Sequence, residues 1–523
     1  MTPPSPLGQT TITRDSASNS VNTISQATGS NGTDPKIASN FTYDTASSAP
    51  YAPFYPKTAQ NPQLHTTTYG YDATGNVTDV TDDKSPPADH VHLGYDPAHP
   101  GRLTSVTDAN SHTTNYGYDA QGNLTSMTPP SPLGPTTITY DSLSRIATVT
   151  DGKNQKRTYG YDNLDRVTSI AFADSSGNTV ATVTFSYDND GNLTQRTDPN
   201  GTSAYAHDAL NGVTQQTYPG SLTNTYAYDP VGNLTSLTDG GGTVNYAYDS
   251  TNLLSSLADP GGSCTSTPKV KCTTFTYDKD GQRLTTTYPS GVTLTNKYDN
   301  ADRLTCVMAT QTAPPSACDQ QASPLRRSVY TFVSPSSSNT SPLRASVTDQ
   351  AANKSDYTYD ALDRLTHAVT KNSGGSVTDD RAYTYDAAGN RTVETSNGTV
   401  TNYSYNSANE PTGTGWSFDS NGNELSKPTG DSFSYNALDQ TSGITPSGGS
   451  IINRTYLGPG QSELASIVGF TTIQNNVLGL GARTTTGTTY YTRDESGRLI
   501  GERMPDGTTY NYVFDGLGSV IGL

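Results

Sequence analysis

A ten-residue phrase, aromatic-x-Tyr-Asp-x-x-Gly-Asn-Leu-Thr, returns along most of this chain and limits what it can fold into. It reads clearly at Tyr69-Gly-Tyr71-Asp72-Ala-Thr-Gly75-Asn76 and at Tyr116-Gly-Tyr118-Asp119-Ala-Gln-Gly122-Asn123. It returns at Tyr187-Asp188 with Gly191 and Asn192, at Tyr228-Asp229 with Gly232 and Asn233, and at Tyr385-Asp386 with Gly389 and Asn390. Counted at the second aromatic, copies fall at Tyr71, Tyr95, Tyr118, Tyr140, Tyr161, Tyr187, His207, Tyr228 and Tyr248, in steps of 20–26 residues. The phase resumes at Tyr277, Tyr298, Tyr359, Tyr385 and Tyr405, then weakens after Trp416-Ser-Phe418-Asp419. The gap from Tyr298 to Tyr359 holds an irregular stretch, with Pro314-Pro315 and a Ser/Asn-rich run over 334–341.

Each part of the phrase has a physical meaning. Aromatics at i and i+2 face the same side of a strand, so pairs such as Tyr69/Tyr71, Tyr116/Tyr118, Tyr159/Tyr161, Tyr246/Tyr248 and Tyr403/Tyr405 predict an aromatic stripe that packs on itself. Asp-x-x-Gly matches a type I turn whose fourth residue has positive φ at a bulge. A second form puts Asp at that fourth place and Arg after it, as in Asp162–Arg166, Asp299–Arg303 and Asp360–Arg364. Aspartate tolerates that backbone region, which supports the turn. About 20 residues less two turns leaves two strands of roughly six. The expected fold is all-β: tandem hairpins joined into one long sheet, whose accumulated twist makes the ribbon spiral.

Composition agrees. Of 48 acidic residues only 6 are Glu, a choice that starves helices, and 34 Tyr stand against 10 Phe and 1 Trp. The formal charge is 31 − 48 = −17, the wrong sign for a nucleic acid or anionic-membrane partner. No stretch approaches 18 apolar residues, so no membrane-spanning helix is expected, and the opening Met1-Thr-Pro-Pro-Ser-Pro shows no secretory signal. Four cysteines fall as Cys264/Cys272 and Cys306/Cys318, without CxxC spacing or close histidines. Two local disulfides are the favoured reading, with reduced thiols as the alternative.

Catalytic signatures were sought and not found: there is no phosphate-binding glycine loop, nucleophile elbow or His-Glu-x-x-His pair. Asp89-His90-Val-His92 puts two imidazoles on one strand face, but beside Pro86-Pro87 a solvated loop is preferred to a metal site. Asp188-Asn-Asp190-Gly191-Asn192 resembles a calcium loop, yet lacks the downstream bidentate Glu and repeats elsewhere as a plain turn. No cofactor, metal or catalytic residue is therefore expected. Tyrosine platforms also suit sugar stacking; their strict placement favours packing within the sheet.

The repeated Tyr-Asp-x-x-Gly-Asn-Leu-Thr phrase resembles the YD repeat of the RHS family, found in bacterial polymorphic toxins, Tc toxin cocoons and teneurins. The resemblance covers about residues 40–523 and implies a ribbon wound into a hollow β-shell, enclosing a C-terminal toxin that is released by aspartyl self-cleavage. The segments Tyr490–Leu499 and Val513–Val520 resemble the entry to the family's conserved core, while its Asp-Pro-x-Gly-Leu cleavage motif is missing. No self-cleavage and no toxin activity are expected of this chain. Thr2–Thr13 recurs as Thr128–Thr139, so the chain reads as starting in mid-repeat. The expected organisation is an irregular start over 1–40, the repeat array over 41–410, degenerate repeats over 411–489 and a truncated core entry over 490–523. The implied function is a secreted or cell-surface shell segment, non-enzymatic, whose partner is an enclosed toxin polypeptide. The alternative is an adhesion module that binds a cell-surface glycan.

Overall fold

A computed structural model describes residues 10–14, 20–28, 35–43, 55–83, 90–311, 318, 324–460, 463–467, 472–515 and 518–522. The first copy of the duplicated Thr-Pro-Pro-Ser-Pro segment up to Gln9, together with Pro86-Pro87, Asp89 and Pro314-Pro315, lies outside them. Among the described residues there is no helix, and 33 strands from Thr10 to Asn402 belong to one sheet. Strands pair with their sequence neighbours, antiparallel throughout, as in Thr66–Tyr71 with Val77–Asp82 and Thr179–Tyr187 with Leu193–Asp198. Beyond Asn402 the strands shorten and divide into smaller sheets. No helix is long and apolar enough to cross a membrane.

Each repeat is a hairpin with a fixed irregularity. The register shifts between Gly70 and Tyr71, and the same shift recurs before Tyr161, Tyr187, Tyr228, Tyr277 and Tyr385. One residue of the return strand is thus left over at every tyrosine, a bulge that deepens the local right-handed twist. Threonines opposite one another close exposed rungs, as in Thr139–Thr148 at 2.7 Å and Thr276–Thr285 at 2.6 Å.

Two stretches without the full phrase also contribute strands to the sheet. Between Tyr298 and Tyr359 the strands Arg326–Phe332 and Arg344–Asp349 continue the sheet, with the register shift falling at Phe332. Phe332 holds the tyrosine place, and the Ser/Asn-rich run over 334–341 is the connection between these two strands. Near the start, Val21–Ala27, Lys36–Tyr43 and Pro56–Gln60 pair in succession, and the Tyr43 hydroxyl donates to the Val21 carbonyl at 2.8 Å.

The chain forms two compact units. One joins Met1–Tyr118, Met127–Pro132 and Thr295–Thr412; the other joins Asp119–Ser126, Leu133–Leu294 and Gly413–Leu523. Much of the fully buried apolar side-chain volume lies in the second, around Val183, Val244, Leu254 and Leu257. Cys264 bonds to Cys272 and Cys306 to Cys318.

Gly122 and Gly232 hold φ near +92°, and a Cβ added at Gly232 would meet nothing within 4 Å. Substitution there costs backbone energy alone. Gly232→Val should lower stability by about 1–2 kcal/mol while Gly232→Asn loses much less. The shift of the urea midpoint measures both, and equal midpoints for wild type and Gly232→Val would refute the turn geometry.

Candidate functional site in the turns and between the courses

One carboxylate organises each turn. Asp72 Oδ1 accepts the amides of Thr74 and Asn76 at 2.8 and 2.9 Å, and its Oδ2 accepts Asn76 Nδ2 at 2.9 Å. The backbone closes around it, with Gly75 N donating to Asp72 O and Asp72 N to Asn76 O. Asp119 with Asn123, Asp188 with Asn192, Asp229 with Asn233 and Asp386 with Asn390 repeat the side-chain bond at 2.8–3.0 Å. Asp188 is thereby engaged by donors of its own turn, the plain-turn reading of that loop. In the second form arginine replaces asparagine: Arg166 Nε donates to Asp162 at 2.7 Å, Arg303 to Asp299 at 2.8 Å, and Arg364 to Asp360 at 2.7 Å. Asp165, Asp302 and Asp363 take the positive φ that glycine takes elsewhere.

The tyrosines are fixed in a way the phrase does not reveal. In repeat after repeat the second tyrosine donates its hydroxyl to a carbonyl at the start of the preceding return strand. Tyr71 reaches Pro56 at 2.9 Å, Tyr118 Leu103 at 2.7 Å, Tyr187 Val167 at 2.8 Å, Tyr228 Val213 at 2.9 Å and Tyr385 Leu365 at 2.7 Å. Rings meet rings at Tyr55–Tyr71 and Trp416–Phe418, but most faces that are covered are covered by arginine. Arg145 lies over Tyr161 at 4.5 Å, Arg166 over Tyr187 at 4.8 Å, Arg364 over Tyr385 at 4.8 Å and Arg303 over Phe332 at 4.1 Å. The expected stripe of mutually packed tyrosines is instead an alternation of phenol, guanidinium and backbone carbonyl. The first aromatics, Tyr69 and Tyr116, are half-buried in the strands leading to each turn.

Adjacent turns also bond. Asn192 Nδ2 donates to Asn211 at 2.8 Å and Asn390 to Asn409 at 2.8 Å, while Arg145 reaches Asp165 at 2.7 Å.

Within each unit, stretches far apart in sequence lie against one another. In the first, Asn61 donates to Asp363 at 3.2 Å, Asn110 to Asp386 at 3.0 Å and Asn409 to Asp108 at 3.0 Å. Lys36 and Thr340 exchange backbone contacts there, with Lys36 N donating to Ser338 O. In the second, Lys153 Nζ sits 2.7 Å from Asp439 and 3.2 Å from Asp419, and Arg196 pairs with Glu463 at 2.6 Å. Deeper, Arg503 meets Asp239 at 2.8 Å and Arg283 meets Asp494, which is fully buried, at 2.8 Å. Thr492 donates to Asp259 at 2.6 Å, and burial pushes the Asp259 carboxyl up. Tyr490 seats on Gly240-Gly241, where a Cβ on Gly241 would come within 2.6 Å of its ring. Within each unit, stretches of the ribbon 211–304 residues apart are thus bonded to one another.

The RHS Repeat family model matches residues 101–131, 140–176, 170–203, 187–223 and 228–263. RHS repeats are thus recognised within residues 101–263. Among solved structures it is similar to the crystal structure of TcdB2-TccC3-TEV, at 14% identity and a TM-score of 0.66, over 97% of this chain and 32% of that one. It is also similar to the Photorhabdus luminescens Tc holotoxin pore with a mutated TccC3, at 14% identity and a TM-score of 0.65, over 92% and 30%. What is shared at that identity is the fold, and this chain spans about a third of the length of those structures. No curated protein matches.

Two predictions follow from these contacts. The Asn76 side chain, by its hydrogen bond, brings the Asp72 carboxyl down to about 2, and Asn123 and Asn192 lower Asp119 and Asp188 in the same way. An aspartate lowered below its unfolded value of about 3.9 contributes stability above that value and loses it as the pH falls towards about 2. Melting temperature should therefore be flat from neutral down to about pH 5 and fall steeply below about pH 4; a Tm unchanged at pH 3 would contradict the turn bonds. Separately, Asp239→Ala leaves the Arg503 guanidinium buried and unpaired, costing about 3–5 kcal/mol. The double variant Asp239→Ala/Arg503→Met should regain much of that loss in urea unfolding.

Proposed function

We propose that this chain is a wall segment of an RHS-type toxin shell, secreted with its parent assembly and enclosing a tethered C-terminal polypeptide until release. The observation that carries this reading is the edge-to-edge bonding of ribbon courses within each unit, at Asn61–Asp363 and Asn110–Asp386 in one and Arg196–Glu463 and Arg503–Asp239 in the other. Paired strands alone make a strip; a strip bonded to its own later courses makes a wall with two faces. Such a wall separates two volumes, and its work is mechanical. The shared fold with the Tc structures supports the same reading. The net charge of −17 suits an outer face that stays solvated.

The test is protease access. A flexible reporter peptide appended after Leu523 should be cut many-fold more slowly in the wild-type chain than in Asn61→Ala/Asn110→Ala/Arg196→Ala, which opens contacts between courses. Equal cutting rates in two folded proteins would remove the enclosure reading. Saturable binding to a glycan array, abolished by substituting exposed tyrosines, would put the adhesion reading in its place.

A further inference from the structure

Away from the turns, two imidazoles and a carboxylate converge on one face of the sheet. The strands Val77–Asp82 and His90–Tyr95 pair antiparallel, with Asp79 opposite His92 and Thr81 opposite His90. Asp79 Oδ1 lies 2.9 Å from His90 Nε2 and 2.9 Å from His92 Nδ1. The three candidate donor atoms all fall within 4.8 Å of one another. The rings stand 6.4 Å apart and 54° from parallel, so it is nitrogen atoms rather than ring faces that meet at the carboxylate.

The third strand of the row leaves this carboxylate room. Gly70 stands opposite Asp79, and a Cβ there would press to 3.0 Å from Asp79 Oδ2. Both imidazoles are about half exposed, so water and ions reach them freely. Other His–Asp contacts have one imidazole for one carboxylate, as in His367 with Asp380 at 2.7 Å and His99 with Asp96 at 2.7 Å. Among the described residues this is the place where three such groups meet.

We propose that Asp79, His90 and His92 form a zinc site that ties these two strands together, the remaining coordination position being left to water. Two imidazole nitrogens and one carboxylate oxygen are a donor set zinc accepts, at bonds of about 2.0–2.2 Å. Ligand atoms in such a tetrahedron lie about 3.3 Å apart, close to the 2.9 Å already present, so small rotations of exposed side chains suffice. His90 and His92 supply two ligands at i and i+2 on one strand; the sheet register supplies the third from eleven residues earlier. The preferred sequence reading of a solvated loop had only the first two.

Isothermal titration of the chelator-stripped chain with zinc chloride tests the site. The expected result is one zinc per chain at micromolar affinity. His90→Ala/His92→Ala should lose it, and Asp79→Asn should weaken it by more than about tenfold. His367→Ala removes an imidazole–carboxylate contact elsewhere and should leave the stoichiometry unchanged. Circular dichroism of the metal-free variants shows that the sheet is intact, since all three side chains lie at its surface. No heat on titration, or binding that survives in the folded His90→Ala/His92→Ala variant, would overturn the proposal.

Discussion

The hydrogen-bonded carboxylate at the first turn position is what the rest of this structure depends on. With only 31% hydrophobic residues the chain has too little apolar surface to fold its hairpins by burial alone. Local polar geometry makes up the difference. One oxygen of Asp72 fixes the turn backbone and the other fixes the side chain at Asn76, so a single residue specifies both where the strand reverses and which residue restarts it. The tyrosine hydroxyl then ties that hairpin to the one before it, as Tyr228 does to Val213. Neighbours are joined in pairs, and the ribbon grows without needing a central core.

Growth by identical pairs fixes the curvature as well. A register shift at the same point of one repeat after another adds a like increment of right-handed twist to the ribbon. The courses meet through polar side chains because the turns, which carry the Asp and Asn, form the ribbon's edge. In the second unit the meeting is deeper. There Arg503, Asp239 and Asp494 are buried and Arg283 is partly so, and their directional pairing fixes which repeat lies against which.

The hairpins, the turn type and the all-β class were legible because each rests on residues within one repeat. The i, i+2 aromatics and the Asp-x-x-Gly spacing state strand and turn directly. What was missed lies across the chain. Phe332 lacks the Tyr-Asp signature and so was not counted among the copies, although Arg303 stacks on its ring as arginines do on tyrosines elsewhere. The carbonyl partners of the tyrosines sit 11–23 residues back, at positions with no fixed identity, since any backbone carbonyl serves. Contacts such as Asn110–Asp386 join residues 276 apart, which no local phrase encodes.

The two forms of the turn divide the wall into different kinds of joint. Asparagine at the fourth place after aspartate closes its own loop and reaches at most the adjacent turn, as Asn192 reaches Asn211. Arginine there does three things at once: Arg166 neutralises Asp162, donates to the Asp188 carbonyl and covers the Tyr187 ring. It spans two repeats with one rigid fork, so a hairpin pair joined by arginine has fewer ways to move against its neighbour. Asparagine joints lack that brace. A ribbon that uses both forms is braced across repeats where arginine stands and joined more loosely where asparagine stands.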